Sequence, residues 1–191
     1  MNGLAAVTTL TDEQLAQPSS QLWIQYATQV VSTIGPQNAT GCSSQGPASR
    51  PGDSLPDLVS FARHLVTTCQ VSTATLLHAL VYLKRLRDTL PVGALSRPGS
   101  SHRIFVAALL LASKYADDVQ ALTPRTIANI LMHWQPLHTA WSRIALGGLS
   151  AQASVWWAFP KEIARIERAF LRLLKFELHV TPEDLAALTT T

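Results

Sequence analysis

The longest uninterrupted apolar stretch of the chain lies at residues 104–112, which contain no polar side chain. A helix built from this stretch is apolar on every side, and such a helix belongs at the centre of a bundle, enclosed by other helices. The first charge after it is Lys114, one turn beyond Leu110 and Leu111. The ammonium group of Lys114 must either reach water along its apolar neighbours or meet a carboxylate.

Apolar residues at helical spacing predict further helices before and after this central one. Ser20 is a good cap for a short helix over residues 20–34, which Gly35 and Pro36 end. The other predicted helices run from Pro56, from Ser72 or Thr73 to Leu90, from Pro124 to His133 and from Pro160 to Leu174, with one more helix start at residues 181–184. No segment has the pattern of a strand. We therefore predict an all-α fold, a five-helix bundle around the apolar central helix with an extra N-terminal helix.

The composition of residues 35–54 changes to mainly Gly, Pro, Ser, Gln and Asn, which is typical of a linker. We therefore expect residues 1–54 to be an N-terminal tail that carries the short helix and the linker. Residues 55–180 are predicted to form the helical domain, and residues 181–191 a C-terminal tail. The helical pattern breaks down between residues 134 and 159.

The chain has 191 residues, of which 47% are hydrophobic and 14% charged, so we expect a well-filled core and some apolar surface left for a partner. The net charge of +3 comes from dispersed Lys and Arg residues and is weak evidence for nucleic acid. Cys42 and Cys69 lie far apart in unlike contexts, which favours two reduced thiols over a disulfide. No signal peptide or membrane span is recognisable, so we expect a soluble protein in the nucleus or cytoplasm.

The sequence contains none of the common motifs of an enzyme active site. His133 and His138 lie five residues apart around Pro136, a poor spacing for a helical metal pair, and the cysteines lack zinc-site spacing. There is no Gly-rich phosphate loop and no nucleophile motif of the Gly-x-Ser-x-Gly type. We therefore predict no catalytic residue, no metal and no cofactor.

One carboxylate in the last long helix lies where an apolar side chain is expected. At about 100° per residue, Glu167 falls at the edge of the apolar arc and away from the basic side, which carries Lys161, Arg165, Arg168 and Arg172. Loss of solvation there costs several kcal/mol unless another group compensates. We propose that Lys114 and Glu167 meet at a place where both touch the surface. The simpler alternatives are that Glu167 bends outward to water and that the basic side is an ordinary solvated helix face.

Three segments in the expected order resemble parts of a cyclin box. Residues 98–118, with Leu-Leu-Leu-Ala-Ser-Lys-Tyr followed by Asp-Asp, resemble its third helix, most of all that of the fungal cyclins of the phosphate-response and bud-emergence group. Residues 166–178 resemble the fifth helix and residues 76–86 the second. The likeness covers about residues 55–180, and a single cyclin box is expected.

This resemblance implies a regulator, not an enzyme, whose partner is a cyclin-dependent kinase. Such a regulator holds the mobile helix of the kinase in its active position. In cyclins the lysine of the third helix and the glutamate of the fifth pair at that interface, which matches Lys114 and Glu167. The nearby apolar contacts of the family fall on Leu111, Tyr115, Leu171, Phe176 and Leu178.

One stretch departs from the family pattern, because residues 119–160 are longer than this group of cyclins needs. Residues 141–145 resemble the expected tryptophan segment, with surplus sequence on both sides. An insertion and translated intron sequence are both open explanations. Two other functions also stay open. One is a nucleic-acid-binding module of the transcription-factor kind that uses the basic side of the last helix, and the other is a helical adaptor that binds no kinase.

Overall fold

A computed structural model describes residues 18–34, 56–91, 100–116, 121–134 and 158–189 of the chain. These residues form helices and no strand, so the predicted all-α class is confirmed. In chain order the helices are α1 Pro18–Ile34, α2 Leu58–Thr68, α3 Thr73–Thr89, α4 Ser100–Ala116, α5 Pro124–His133, α6 Pro160–Leu173 and α7 Pro182–Thr189.

Short polar side chains fix where several helices begin. The Asp57 carboxylate accepts from the Ser60 N–H at the start of α2, and Ser72 and Thr123 cap α3 and α5 in the same way. Each cap satisfies a backbone N–H that has no partner inside the helix, which stabilises the helix by about 1 kcal/mol. The starts predicted at Ser72 or Thr73 and at Pro124 are confirmed.

The apolar stretch forms the centre of the bundle, as predicted. All residues of α4 from Phe105 to Ser113 are buried. Helices α1, α2, α3 and α6 pack against α4, and α5 packs on α2 and α6. A helix enclosed on all sides needs no polar face, which is why its sequence shows no amphipathic pattern.

Helix α1 belongs to the same core, which differs from the predicted separate tail. Ile24, Ala27, Val30 and Val31 are buried, and α1 packs against α2, α3 and α4. The apolar stripe of α1 needs a surface to cover it, and the bundle provides that surface. Residues 1–17 and the linker at residues 35–54 lie outside the described residues.

The segment after α6 also differs from a simple tail. Residues Pro182–Thr189 form α7, which packs on α3 and buries Leu188. Thr181 and Asp184 cap this helix reciprocally: the Thr181 N–H donates to Asp184 Oδ2 at 2.9 Å, and the Asp184 N–H donates to Thr181 Oγ1 at 3.2 Å. The helix-start signature at this place is therefore confirmed.

The region of the predicted insertion is partly described. Helix α5 forms where its Thr-Pro start predicts it and buries Ile127, Ala128 and Leu131. Residues 117–120 and 135–157, which include the tryptophan segment at 141–145, lie outside the described residues, as does Cys42. Cys69 is a free thiol whose pKa burial raises to about 12. None of the described helices has the length and apolar character needed to cross a membrane.

Candidate functional site

Lys114 and Glu167 meet in the structure. Lys114 lies in the last turn of α4 and Glu167 in the middle of α6, and Lys114 Nζ donates to Glu167 Oε1 at 2.5 Å. The Lys114 side chain is 41% exposed and the Glu167 side chain only 10%. The predicted contact is thus confirmed, while its role in binding a partner stays a prediction.

The two groups of the ion pair are buried to different degrees, so each has a different role. A carboxylate this far removed from water needs a charged or hydrogen-bonding partner, and Lys114 supplies one. The lysine also lies at the C-terminal end of α4, where the helix dipole favours a positive charge. The half-exposed ammonium group keeps hydrogen-bonding capacity for solvent or for another molecule.

The aromatic side chain next to the ion pair is available at the surface. Tyr115 is 43% exposed. Its hydroxyl shares a hydrogen bond of 3.3 Å with His179 Nδ1, and its ring lies 5.7 Å from that of His78, measured between centroids. These contacts bring the end of α4, the first half of α3 and the segment after α6 together around Tyr115.

Helix α6 ends in a tight turn that exposes an aromatic ring. The Phe176 N–H donates to the Leu171 carbonyl at 3.1 Å and the Lys175 N–H to the Arg172 carbonyl at 2.9 Å, which is the Schellman arrangement. Lys175 and Phe176 have φ values of 53° and 63°. Such left-handed conformations cost roughly 1–2 kcal/mol for residues other than glycine. The turn holds Phe176 with 66% of its surface exposed.

Helix α3 ties down the segment that follows this turn. The Tyr82 hydroxyl donates to the Leu178 carbonyl at 2.8 Å. The Arg85 guanidinium donates to the carbonyls of Glu177 and His179, each at 2.8 Å. Three backbone carbonyls in a row are therefore satisfied by two side chains of one helix. This explains how a segment without regular secondary structure keeps a fixed position on the surface.

The same guanidinium reaches the start of α7. Arg85 Nη2 lies 2.8 Å from Asp184 Oδ2, and both side chains are about one third exposed or less. The Thr181 N–H, followed by smaller contributions that include Arg85, holds the pKa of the Asp184 carboxyl below its usual value. Arg85 thus links α3, the segment at residues 177–179 and α7.

The predicted apolar contacts differ in how much surface they offer. Tyr115 and Phe176 are exposed, and Leu171 and Leu178 are half-buried. Leu111 is only 4% exposed, so it packs beneath the site and offers a partner almost no contact area. Its burial follows from its place in α4, which the other helices enclose.

Sequence reasoning did not identify Tyr82, Arg85 or His179 as parts of this site. Their contacts join residues that are far apart in the chain, and no local pattern in the sequence indicates such pairs. Sequence reasoning also did not identify His78, whose ring lies near that of Tyr115. Within the described parts of the chain, no group of three or more His, Cys, Asp and Glu side chains could hold a metal ion.

Comparison with known proteins identifies relatives of this chain. It is 33% identical over 143 residues to PHO85 cyclin-1 of Saccharomyces cerevisiae, an alignment that covers 73% of this chain and 43% of that protein. It is 28% identical over 130 residues to PHO85 cyclin-9 of the same yeast, which covers 68% of this chain and 35% of the relative. The chain spans less than half the length of both relatives.

A family-wide comparison agrees with these similarities. Residues 36–179 match the profile of the cyclin N-terminal domain. This match covers α2 to α6, including the Lys114–Glu167 ion pair. No solved structure matches the chain. The chain belongs to the cyclin family, and its type is that of the PHO85 cyclins.

Proposed function

We propose that this chain binds a cyclin-dependent protein kinase and activates it. The binding surface is the ion pair Lys114–Glu167 together with the exposed rings of Tyr115 and Phe176. The observation that carries this proposal is the ion pair at the surface of the bundle, next in the chain to the exposed Tyr115, whose hydroxyl contacts His179 in the segment that follows Phe176. The similarity to PHO85 cyclins and the match to the cyclin N-terminal domain support a kinase regulator of this kind.

The proposed mechanism is allosteric. A protein kinase needs a Lys–Glu ion pair of its own in place before it transfers phosphate. This chain binds the kinase conformer in which that pair exists more tightly than the other conformers. Its binding through the apolar and charged surface described above therefore favours the active conformer. The chain itself contributes no atom to the reaction. We propose that it acts in the nucleus or cytoplasm.

Co-purification tests the proposal directly. The tagged full chain, expressed in cells of its source, is expected to bring down a protein kinase that mass spectrometry identifies, and to raise phosphorylation of a generic substrate. Lys114→Glu and Glu167→Lys are each expected to weaken kinase binding while circular dichroism shows unchanged helical content. Arg125→Glu, a reversal at an exposed position of α5, is the matched control and should bind normally.

A double variant separates partner binding from folding. Lys114→Glu/Glu167→Lys restores an ion pair inside the chain but reverses the charges that a kinase meets. We expect its thermal stability to approach that of the unchanged chain and its kinase binding to stay weak. Folded Lys114→Glu protein that binds and activates the kinase normally would overturn this assignment of the site.

A further inference from the structure

Four cationic side chains line the outer side of α6, and a fifth follows in the turn that ends the helix. They are all exposed, and we call them the basic ridge: Lys161, Arg165, Arg168, Arg172 and Lys175. The four on α6 are spaced by four, three and four residues, so they stay on one narrow side of the helix, opposite the buried Ile163 and Phe170, and Lys175 follows in the turn. From Lys161 to Arg172 the ridge is about 16 Å long.

The ridge is almost free of compensating negative charge. Arg165 Nη1 lies 3.9 Å from Glu162 Oε2. This contact is weak, because the Arg165 side chain is 76% exposed to water. Among the residues that the structure describes, no carboxylate forms an ion pair with Arg168, Arg172 or Lys175. Like charges three or four residues apart repel each other and destabilise a helix. A row of one sign on an exposed face is complementary in charge to a negatively charged ligand.

The ridge borders the surface proposed for the kinase. Arg168 follows Glu167 directly, and Arg172 follows the half-buried Leu171. Around the helix, Leu171 lies between Glu167 and Arg168. A molecule bound along the ridge therefore lies beside a kinase bound at Lys114–Glu167.

We propose that the basic ridge binds an acidic segment of the proteins that the bound kinase phosphorylates. This inference rests on the proposed function. Guanidinium groups pair with carboxylates through two parallel hydrogen bonds, and an extended segment of about five residues spans the ridge. Binding there raises the local concentration of the substrate next to the kinase without changing the chemical step.

A short peptide fits the charge distribution better than a nucleic acid duplex does. Glu162 lies at one end of the ridge and Glu177 just beyond the other, so the positive potential covers only a short length. A duplex carries one negative charge per about 1.7 Å and continues past both ends. Its phosphates would meet these carboxylates, whereas a short acidic segment lies between them.

Two peptides with the same phosphorylation site test the proposal on the complete complex of the chain with its co-purified kinase. One peptide is extended by a run of glutamates and the other by a run of glutamines. We expect a lower KM for the glutamate peptide. Arg168→Gln/Arg172→Gln should raise that KM about fivefold, with kcat, kinase co-purification and the KM of the glutamine peptide unchanged. Arg168→Gln alone has a matched control in Arg125→Gln, another exposed arginine, which should change none of these values.

The outcomes separate the two proposals. An active complex with equal KM values for both peptides overturns the role of the ridge and leaves the kinase assignment intact. A chain that brings down no kinase overturns both. Binding to a DNA duplex at low salt that the double variant abolishes, without any preference for the glutamate peptide, assigns the ridge to nucleic acid and overturns the peptide proposal.

Discussion

Arg85 on α3 lies 2.8 Å from Asp184 in the first turn of α7, and it donates at the same time to the carbonyls of Glu177 and His179. One guanidinium thus joins a helix of the core to the two segments that follow α6. Since Phe176 and Leu178 belong to the proposed kinase-binding surface, the position of that surface depends on a residue that need not touch the partner.

Loss of this guanidinium is expected to loosen the C-terminal part of the fold. Arg85→Ala removes the side-chain donor to two carbonyls and one of the donors to the Asp184 carboxylate, and we expect a loss of about 2 kcal/mol in the free energy of unfolding. Arg85→Lys should recover only part of this, because an ammonium group cannot reproduce the planar fork. Hydrogen exchange should accelerate in residues 177–189 and not in α4. Arg87→Ala is the control, because this exposed arginine pairs among the described residues with its neighbour Asp88, and it should change stability by less than about 0.5 kcal/mol.

The Lys114–Glu167 ion pair is expected to contribute to folding as well as to binding. Lys114→Ala leaves the largely buried Glu167 carboxylate without its partner, and we expect a loss of about 2 kcal/mol, less than for a fully buried pair because Lys114 is half exposed. Glu167→Gln should cost less, since an amide tolerates burial better than a charge. A double-mutant cycle by chemical denaturation measures the coupling, expected near 1 kcal/mol. Additive effects of the two changes would contradict the contact.

The central helix and the ion pair could be predicted because each leaves a local signal. A polar-free stretch indicates a helix enclosed by others, and Glu167 stands out against the apolar arc of α6. The same signals do not tell how deep a residue lies: Leu111 was expected at the partner surface and is buried. The packing of α1 against the bundle was missed because the linker composition after it indicated a boundary.

The contacts that hold the segment after α6 against α3 could not be predicted either, but for a different reason. Arg85 and Tyr82 contact residues more than 90 positions away, and only the packed fold brings them together. The left-handed turn at Lys175 and Phe176 was equally hidden, because no glycine or asparagine marks it in the sequence. Both features depend on tertiary structure rather than on local preference.

The left-handed backbone at Lys175 makes a simple stabilising substitution available. Glycine adopts a φ of 53° without the steric cost that a Cβ atom brings. Lys175→Gly is therefore expected to raise the free energy of unfolding by about 0.5–1 kcal/mol, the steric gain being partly offset by the greater freedom of the unfolded chain. Lys161→Gly, within the first turn of α6, is the control and should lower it. Thermal unfolding measures both, and a destabilised Lys175→Gly would contradict the turn.

His102 is expected to make stability depend on pH. The histidine is buried, and its Nε2 lies 2.8 Å from the Pro56 carbonyl, which can only accept, so Nε2 carries the proton. Its buried Nδ1 has no hydrogen-bond partner among the described residues. Burial lowers the pKa of His102, and this outweighs the opposing effects of the Pro56 carbonyl and the Asp57 carboxylate.

The sign of this dependence follows from the lowered pKa. The unfolded chain binds a proton at His102 near pH 6.5, whereas the folded chain resists it, so stability is lost as the pH falls below about 6.5. Between pH 7.5 and 5.5 we therefore expect the free energy of unfolding to decrease, with His102 contributing to the decrease. His102→Gln keeps a hydrogen-bond donor for the Pro56 carbonyl but has no titrating group. It should therefore remove the contribution of His102 to the pH dependence of stability. His64, whose pKa burial also lowers, contributes in the same direction in both proteins. Equal pH dependence in the two proteins would refute the assignment to His102.

Phe176 offers a test in which partner binding and stability separate. Its ring is 66% exposed, so Phe176→Ala should change the free energy of unfolding by less than about 0.5 kcal/mol. If the ring inserts into the kinase, the same change should raise the Kd of the complex about tenfold, the effect usual for an aromatic residue central to an interface. Leu22→Ala on α1 removes a side chain that is 61% exposed and lies outside the proposed surface, so it should leave the Kd unchanged. Titration calorimetry with the co-purified kinase distinguishes the two, and equal Kd values for both variants would place the kinase on a different face of the bundle.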